Sequence, residues 1–155
     1  MKPNVMVLRI IVFLLLNFGG LAFGGLFTEV NSDWYQGLNR APWTPPGWVF
    51  GAAWTTIMIC FSIYMAFLWG EAKDKKPLVI NYLLAFILNA GWNPVFFHFR
   101  QVALGLVVIV ALTVVVTYFI FRYWNTLKSK TLLMAPYFIW LLIATSLNAY
   151  VLFKN

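Results

Sequence analysis

The chain has 155 residues, of which 63% are hydrophobic, 19% aromatic and only 10% charged, against roughly 45–50% apolar and about 25% charged in soluble domains. That balance excludes an ordinary soluble domain and points to a membrane protein. The net charge is +7, but the basic residues are scattered between apolar runs, so nucleic acid is not an expected partner and the excess reads as a topology signal. Cys60 is the single cysteine, which excludes an intrachain disulfide and a Cys-based metal cluster.

Five runs are long enough to span about 30 Å of hydrocarbon as helices: residues 5–27, 48–69, 78–97, 102–123 and 132–153. The first follows Lys2 in the manner of a signal peptide. Its length and the lack of a small-x-small cleavage site predict a retained helix. Gly20 and Gly24 stand at GxxxG spacing, which allows close helix approach inside a bundle or across a dimer.

The loop over residues 28–47 is long for a helix connection, and loops of that size are usually functional or disordered. Trp34, Tyr35, Leu38, Pro42 and Trp43 make it too apolar for a disordered tether, so it is expected to fold over the bundle mouth. Pro42, Pro45 and Pro46 stiffen its second half. Thr44 is expected to cap the second helix, with Pro45 at the first helical position. On that helix Gly47, Gly51, Trp54, Thr55 and Met58 follow helical spacing.

In the third span Asn81, Ala85, Asn89 and Asn93 recur every four residues, with Trp92 beside Asn89, so this face is expected to point inward. In the fifth, Trp140, Ala144 and Asn148 form a similar row one turn after Tyr137. Pro94 and Pro136 lie inside predicted spans, where each removes a backbone hydrogen bond and can bend the helix. Leu147, Tyr150 and Lys154 fit a loose sterol-contact pattern that chance supplies often. Runs without alternating polarity predict an all-α five-helix bundle and not a barrel. The short second to fourth connections imply that consecutive helices are antiparallel neighbours.

With the N-terminus cytoplasmic, that side carries Lys2, Arg9, Lys73, Lys75, Lys76, Arg122, Lys128 and Lys130, and the other side Arg40, Arg100 and Lys154. The positive-inside bias therefore sets the N-terminus inside and the C-terminus outside. Trp34, Tyr35, Trp43, Trp48, Trp69, Tyr82, Tyr118, Tyr123, Trp124, Tyr137 and Tyr150 mostly fall near predicted ends and read as interface anchors.

No Asp, Glu, Lys or Arg lies near the middle of a span, which argues against an ion pump. His98 stands beside Arg100 with no second metal-ligand residue at useful spacing, and reads as a surface or interface histidine. No metal site and no nucleophile with its base is visible. The intramembrane polar groups are instead neutral. Faces offering indole, amide and small residues suit an apolar, aromatic cavity for a flat, weakly polar ligand, and the same pattern also reads as helix packing with asparagines as interhelical glue.

WYQGLNRAPWTPPGWVFGAAW (residues 34–54), LNAGWNPVFF (88–97) and PYFIWLLIATSLN (136–148) resemble, in order and spacing, signatures of the TspO/MBR family, the tryptophan-rich sensory proteins related to the mitochondrial translocator protein, or peripheral benzodiazepine receptor. The resemblance spans nearly the whole chain. It implies a compact five-helix bundle whose first loop covers a ligand pocket, in a bilayer and often as a homodimer. It also implies binding of porphyrins, haem-related tetrapyrroles and drug-like hydrophobic molecules, with no required cofactor. Carried over by position, the implied pocket comprises Tyr35, Pro42, Trp54, Met58, Asn89, Trp92, Ile109, Trp140, Ala144 and Leu147. Trp54 and Trp140 match tryptophans implicated in light- and oxygen-dependent porphyrin breakdown, and would be catalytic if that activity operates. Asn93 stands where Ser is common before the proline, and the aromatic-plus-basic ending is shortened. The expectation is a porphyrin-binding membrane receptor or transporter with a regulatory or stress-sensing role in a bacterial cell membrane; the alternatives are enzyme-like porphyrin degradation and a non-catalytic membrane scaffold.

Overall fold

A computed structural model describes residues 3–155; Lys2, part of the topology signal, lies outside them. Five long helices cross the apolar layer. They are α1 (Pro3–Gly25), α3 (Gly47–Glu71), α4 (Lys76–Asn93), α5 (Val102–Leu127) and α6 (Ala135–Lys154), with a one-turn helix α2 (Asp33–Gln36) in the first loop. A π-helical turn, Pro94–His98, extends α4, and a 3-10 segment, Lys128–Met134, joins α5 to α6. Helical structure is therefore nearly unbroken over Val102–Lys154, 53 residues, far beyond the roughly 20 that one crossing needs. Lys128 reverses the chain at φ 50°, so this stretch holds two crossings.

The helix ends have local causes. Pro77 lies in the first turn of α4, where its missing N–H is not needed, and the Asp74 carboxylate accepts the Lys76 N–H at 2.9 Å. The expected cap on α3 is not formed. Pro46 occupies the cap position and Gly47 begins the helix, because Thr44 closes the preceding turn: its N–H and hydroxyl both donate to Ala41 O, at 2.9 and 2.7 Å. Pro136 falls in the first turn of α6 and so bends nothing. Pro94 does perturb its helix, opening the π turn.

Around the bundle α1 packs on both α3 and α4, α4 on α5, α5 on α6, and α6 returns to α3. This corrects the expectation that all consecutive helices are packed neighbours, since α1 lies between α3 and α4. A four-residue link, extending about 13 Å, can step past one helix at an interaxial spacing of roughly 8–10 Å. Side chains such as Phe61 and Tyr82, ring centroids 5.9 Å apart, still join α3 to α4.

The GxxxG pair is used inside the bundle. A Cβ on Gly20 would lie 2.7 Å from the Phe86 ring and one on Gly24 2.9 Å from the Asn93 amide, so both glycines let α1 sit against α4. Buried polar groups tie the same seam: Tyr82 OH donates to Asn17 Oδ1 at 2.8 Å, Asn17 Nδ2 donates to Ser62 Oγ at 2.9 Å, and Ser62 Oγ donates to Met58 O. Tyr82 and Tyr137 are thus core residues and not interface anchors, and Tyr64, also buried, donates to Phe119 O at 3.1 Å. Large apolar side chains such as Leu15, Phe121 and Phe153 face outward, 71%, 77% and 79% exposed, the pattern expected of a surface solvated by lipid.

Candidate functional site

The half of the bundle nearest the first loop gathers most of the indole and amide groups. Trp92 stacks on Phe96 at 5.0 Å between centroids, and its Nε1–H donates to Asn148 Oδ1 at 3.2 Å. Asn148, from α6, also donates through Nδ2 to Val102 O at 2.9 Å. One buried amide therefore links α4, α5 and α6. Gly105 makes this approach possible, because a Cβ there would lie 3.1 Å from Asn148 Oδ1 and 3.3 Å from the Phe96 ring. Across the bundle the Trp54 ring meets Tyr137 edge-on at 6.1 Å and Trp140 meets Phe50 at 5.2 Å.

Between these walls lie two small cavities, about 10 Å³ each. The first is bordered by Gly20, Trp54, Asn89, Trp92, Asn93 and Ile109. The second is bordered by Asn17, Met58, Phe61, Phe86, Asn89 and Tyr137. Asn89 belongs to both. Each has room for about one water, whereas pockets for drug-sized ligands are roughly 300–1,000 Å³. A flat macrocycle fits only if the cavities merge and the rings around them shift.

The first loop closes the mouth. Ser32 caps α2 by accepting the Tyr35 N–H at 3.3 Å, which sets Trp34 against Phe96 at 5.8 Å and Tyr35 against Phe97 at 5.2 Å. Phe96 is the ring that stacks on Trp92, so the loop rests on the cavity wall through one intervening side chain. Arg40 lies over the Tyr35 ring at 5.2 Å and Arg100 over Trp34 at 5.8 Å. Asn155 binds the loop backbone, accepting Asn39 N–H at 2.8 Å and donating to Asn39 O at 3.2 Å. The Trp43 Nε1–H donates to Ser146 Oγ at 3.1 Å and its ring meets Tyr150 at 5.4 Å. Trp43 is thus a fastening of the loop as well as an exposed indole. His98 finds a carboxylate that sequence proximity did not reveal, Glu29 Oε1 at 3.5 Å, held beside Phe27 and Phe99.

Five helices under a strapped aromatic loop agree with the sequence comparison, in which residues 11–153 match the TspO/MBR family. The chain belongs to the TspO/MBR family. Protein CrtK of Rhodobacter capsulatus is 32% identical over 130 residues, covering 82% of this chain and 80% of the relative. Tryptophan-rich protein TspO of Chlorobaculum tepidum is 29% identical over 159 residues, covering 100% and 99%. The human translocator protein is 30% identical over 120 residues, covering 74% and 70%.

Of the positions that the TspO/MBR resemblance brings into a pocket, Trp54, Asn89, Trp92 and Ile109 border the first cavity, and Met58 and Asn89 the second. The other five are elsewhere. Tyr35 sits in the loop against Phe97, Pro42 is exposed and Leu147 half-buried. Trp140 and Ala144 are buried in the α6 row but border neither cavity. The Trp140 Nε1–H is buried without a hydrogen-bond partner. Residue spacing missed Gly105, Phe96 and Asn155. Phe96 lay within a quoted motif, while Asn155 carried no signal at all.

Proposed function

We propose that this membrane protein is a receptor or transporter for porphyrins and related flat hydrophobic ligands, with a regulatory or stress-sensing role. One observation carries the reading: Asn89, an intramembrane amide, borders both cavities, the first of which is also lined by the indoles of Trp54 and Trp92. That combination offers π-faces to a flat ring system and a hydrogen-bonding group to its polar edge. Family membership and relatives named "Tryptophan-rich sensory protein" and "Translocator protein" support it. The ligand would be a porphyrin or haem-related tetrapyrrole, entering as the loop lifts and the cavities merge.

The same reading sets the chain in a bacterial cell membrane with its N-terminus cytoplasmic and the strapped loop outside. It includes a homodimer, whose interface must use faces other than the Gly20 and Gly24 seam, since α4 covers that seam.

Titration of the purified chain with protoporphyrin in detergent, followed by saturable quenching of tryptophan fluorescence, tests the proposal. Trp54→Ala, through loss of an aromatic contact, and Asn89→Leu, through loss of a hydrogen bond, are each expected to weaken binding by up to about tenfold. Unchanged affinity in both variants rejects this pocket. Illumination of the bound complex in oxygen addresses degradation: a defined product that Trp54→Phe or Trp140→Phe fails to make, with binding intact, would convert the receptor reading into an enzymatic one.

A further inference from the structure

The end of the bundle opposite the loop carries most of the cationic charge, and the fold draws it together. The α3–α4 connection contributes Lys73, Lys75 and Lys76; the end of α5 and the 3-10 segment contribute Arg122, Lys128 and Lys130. The two groups are not separate in space. The 3-10 segment packs on α3, and Lys130 Nζ lies 4.3 Å over the ring of Phe67 in that helix. Lys75 folds back on α3, its Nζ donating to Trp69 O and to Ala72 O and lying 5.5 Å over the Trp69 ring. On the neighbouring turn Arg122 lies 5.6 Å over Tyr123.

Only Glu71 and Asp74 oppose these six cations in sequence and place, and among the described residues neither forms an ion pair with them. Asp74 is occupied with the Lys76 N–H. Lys73, Lys76, Lys128 and Lys130 are exposed. The collar sits just beyond lipid-facing apolar side chains: Phe121 is 77%, Trp124 47% and Leu132 63% exposed. Trp at that depth marks the headgroup zone, and from there the exposed lysines reach lipid phosphates on their flexible stems. The loop end is different: three cations there are balanced by two carboxylates, Glu29 and Asp33, and its two arginines fold over loop aromatics.

We infer that the α3–α4 and α5–α6 connections together form a binding surface for the headgroups of anionic phospholipids, independent of the cavity between the helices. Charge complementarity defines the occupant. Surplus ammonium groups at headgroup depth, lacking carboxylate partners, attract negatively charged lipid with an affinity that grows with each lysine and falls with salt. The exposed ammonium groups of Lys73, Lys76 and Lys128 are free to move toward a phosphate, and that of exposed Lys130 swings to one from the Phe67 ring. Lys75 is not free, and serves instead to end α3.

The test is reconstitution of the full chain into bilayers of phosphatidylcholine containing either brominated phosphatidylglycerol or brominated phosphatidylcholine at equal fraction, with quenching of tryptophan fluorescence reporting which lipid touches the protein. At low salt the anionic lipid is expected to associate about fivefold more strongly than the zwitterionic one, and the preference to fall toward unity in about 1 M salt. The paired substitutions Lys73→Gln with Lys76→Gln and Lys128→Gln with Lys130→Gln should each remove part of it, and the fourfold variant nearly all. Arg40→Gln with Lys154→Gln, at the other end, should leave it intact. Equal quenching by the two lipids in the unmodified chain overturns the inference whether or not any variant folds. So does an equal loss of preference in the loop-end variant.

Discussion

Asn148 is the residue on which the loop-side half of the bundle turns, and a double-mutant cycle with Trp92 measures how firmly. Asn148→Ala removes the bond to Val102 O at 2.9 Å and the bond from Trp92 Nε1 at 3.2 Å. Interhelical hydrogen bonds in membranes average about 0.6 kcal/mol and reach about 1.7, and an orphaned donor in a dry site adds about 1–3 kcal/mol. Trp92 is only half-buried, so the lower end applies and the expected loss is about 2–3 kcal/mol. Trp92→Phe removes one donor and leaves the Asn148 oxygen unpaired, for about 1 kcal/mol. The two losses should fall short of additivity by about 0.6–1.7 kcal/mol, the worth of the shared bond. The assay is unfolding in mixed micelles of rising denaturing-detergent fraction, read by far-ultraviolet circular dichroism so that the lost indole does not alter the probe. Additivity within about 0.5 kcal/mol would refute the claim that this bond joins α4 to α6.

Three further outcomes follow from the same geometry. Asn155→Ala removes two of the three bonds that tie Asn39 to the C-terminus; at about 1–2 kcal/mol for the pair, the open loop gains a factor of about 5–30, and dissociation of bound protoporphyrin in stopped flow should quicken accordingly. Gly20→Leu drives a side chain into the space held by Phe86, where even a Cβ would lie at 2.7 Å, and should lower stability by about 1–3 kcal/mol; sedimentation should find its oligomeric state unchanged, because the seam is internal. Tyr82→Phe removes one member of the Asn17 and Ser62 network and leaves the buried Asn17 oxygen unpaired, and should cost about 1–2 kcal/mol in the same unfolding assay.

The fold was legible in the sequence because lipid admits few answers: uninterrupted apolar runs of the right length can only be helices, and their number fixes the bundle. What spacing did not reveal was lateral order. A four-residue link reaches the next helix or the one beyond, so the placement of α1 between α3 and α4 rests on side-chain fit: glycines at 20 and 24 admit Phe86 and Asn93, and Asn17 bridges Tyr82 and Ser62. The same ambiguity misread Thr44. A threonine before Pro-Pro-Gly is a good helix cap, but its hydroxyl found a nearer acceptor in Ala41 O, leaving a proline at the helix start.

The inward amide face of α4 was readable from four-residue spacing, and Asn89 and Asn93 do border the first cavity. The partners of the site were not, because they come from residues far apart in the chain. Asn148 meets Trp92 across 56 residues and Asn155 meets Asn39 across 116. These long-range bonds also decide how the site can open. The loop reaches the cavity wall through Trp34 on Phe96 and Tyr35 on Phe97, both of which lean on Trp92, and Trp92 is held from the other side by Asn148. Lifting the loop therefore frees one face of Phe96 before it frees the indole. A ligand that displaces Trp92 must break the Asn148 bond, whereas one that enters beside Asn89 need not. Porphyrin affinity in Asn148→Ala distinguishes these routes: tighter binding means that the native bond opposes entry through Trp92, and unchanged affinity means that the ligand uses the Asn89 side of the cavity.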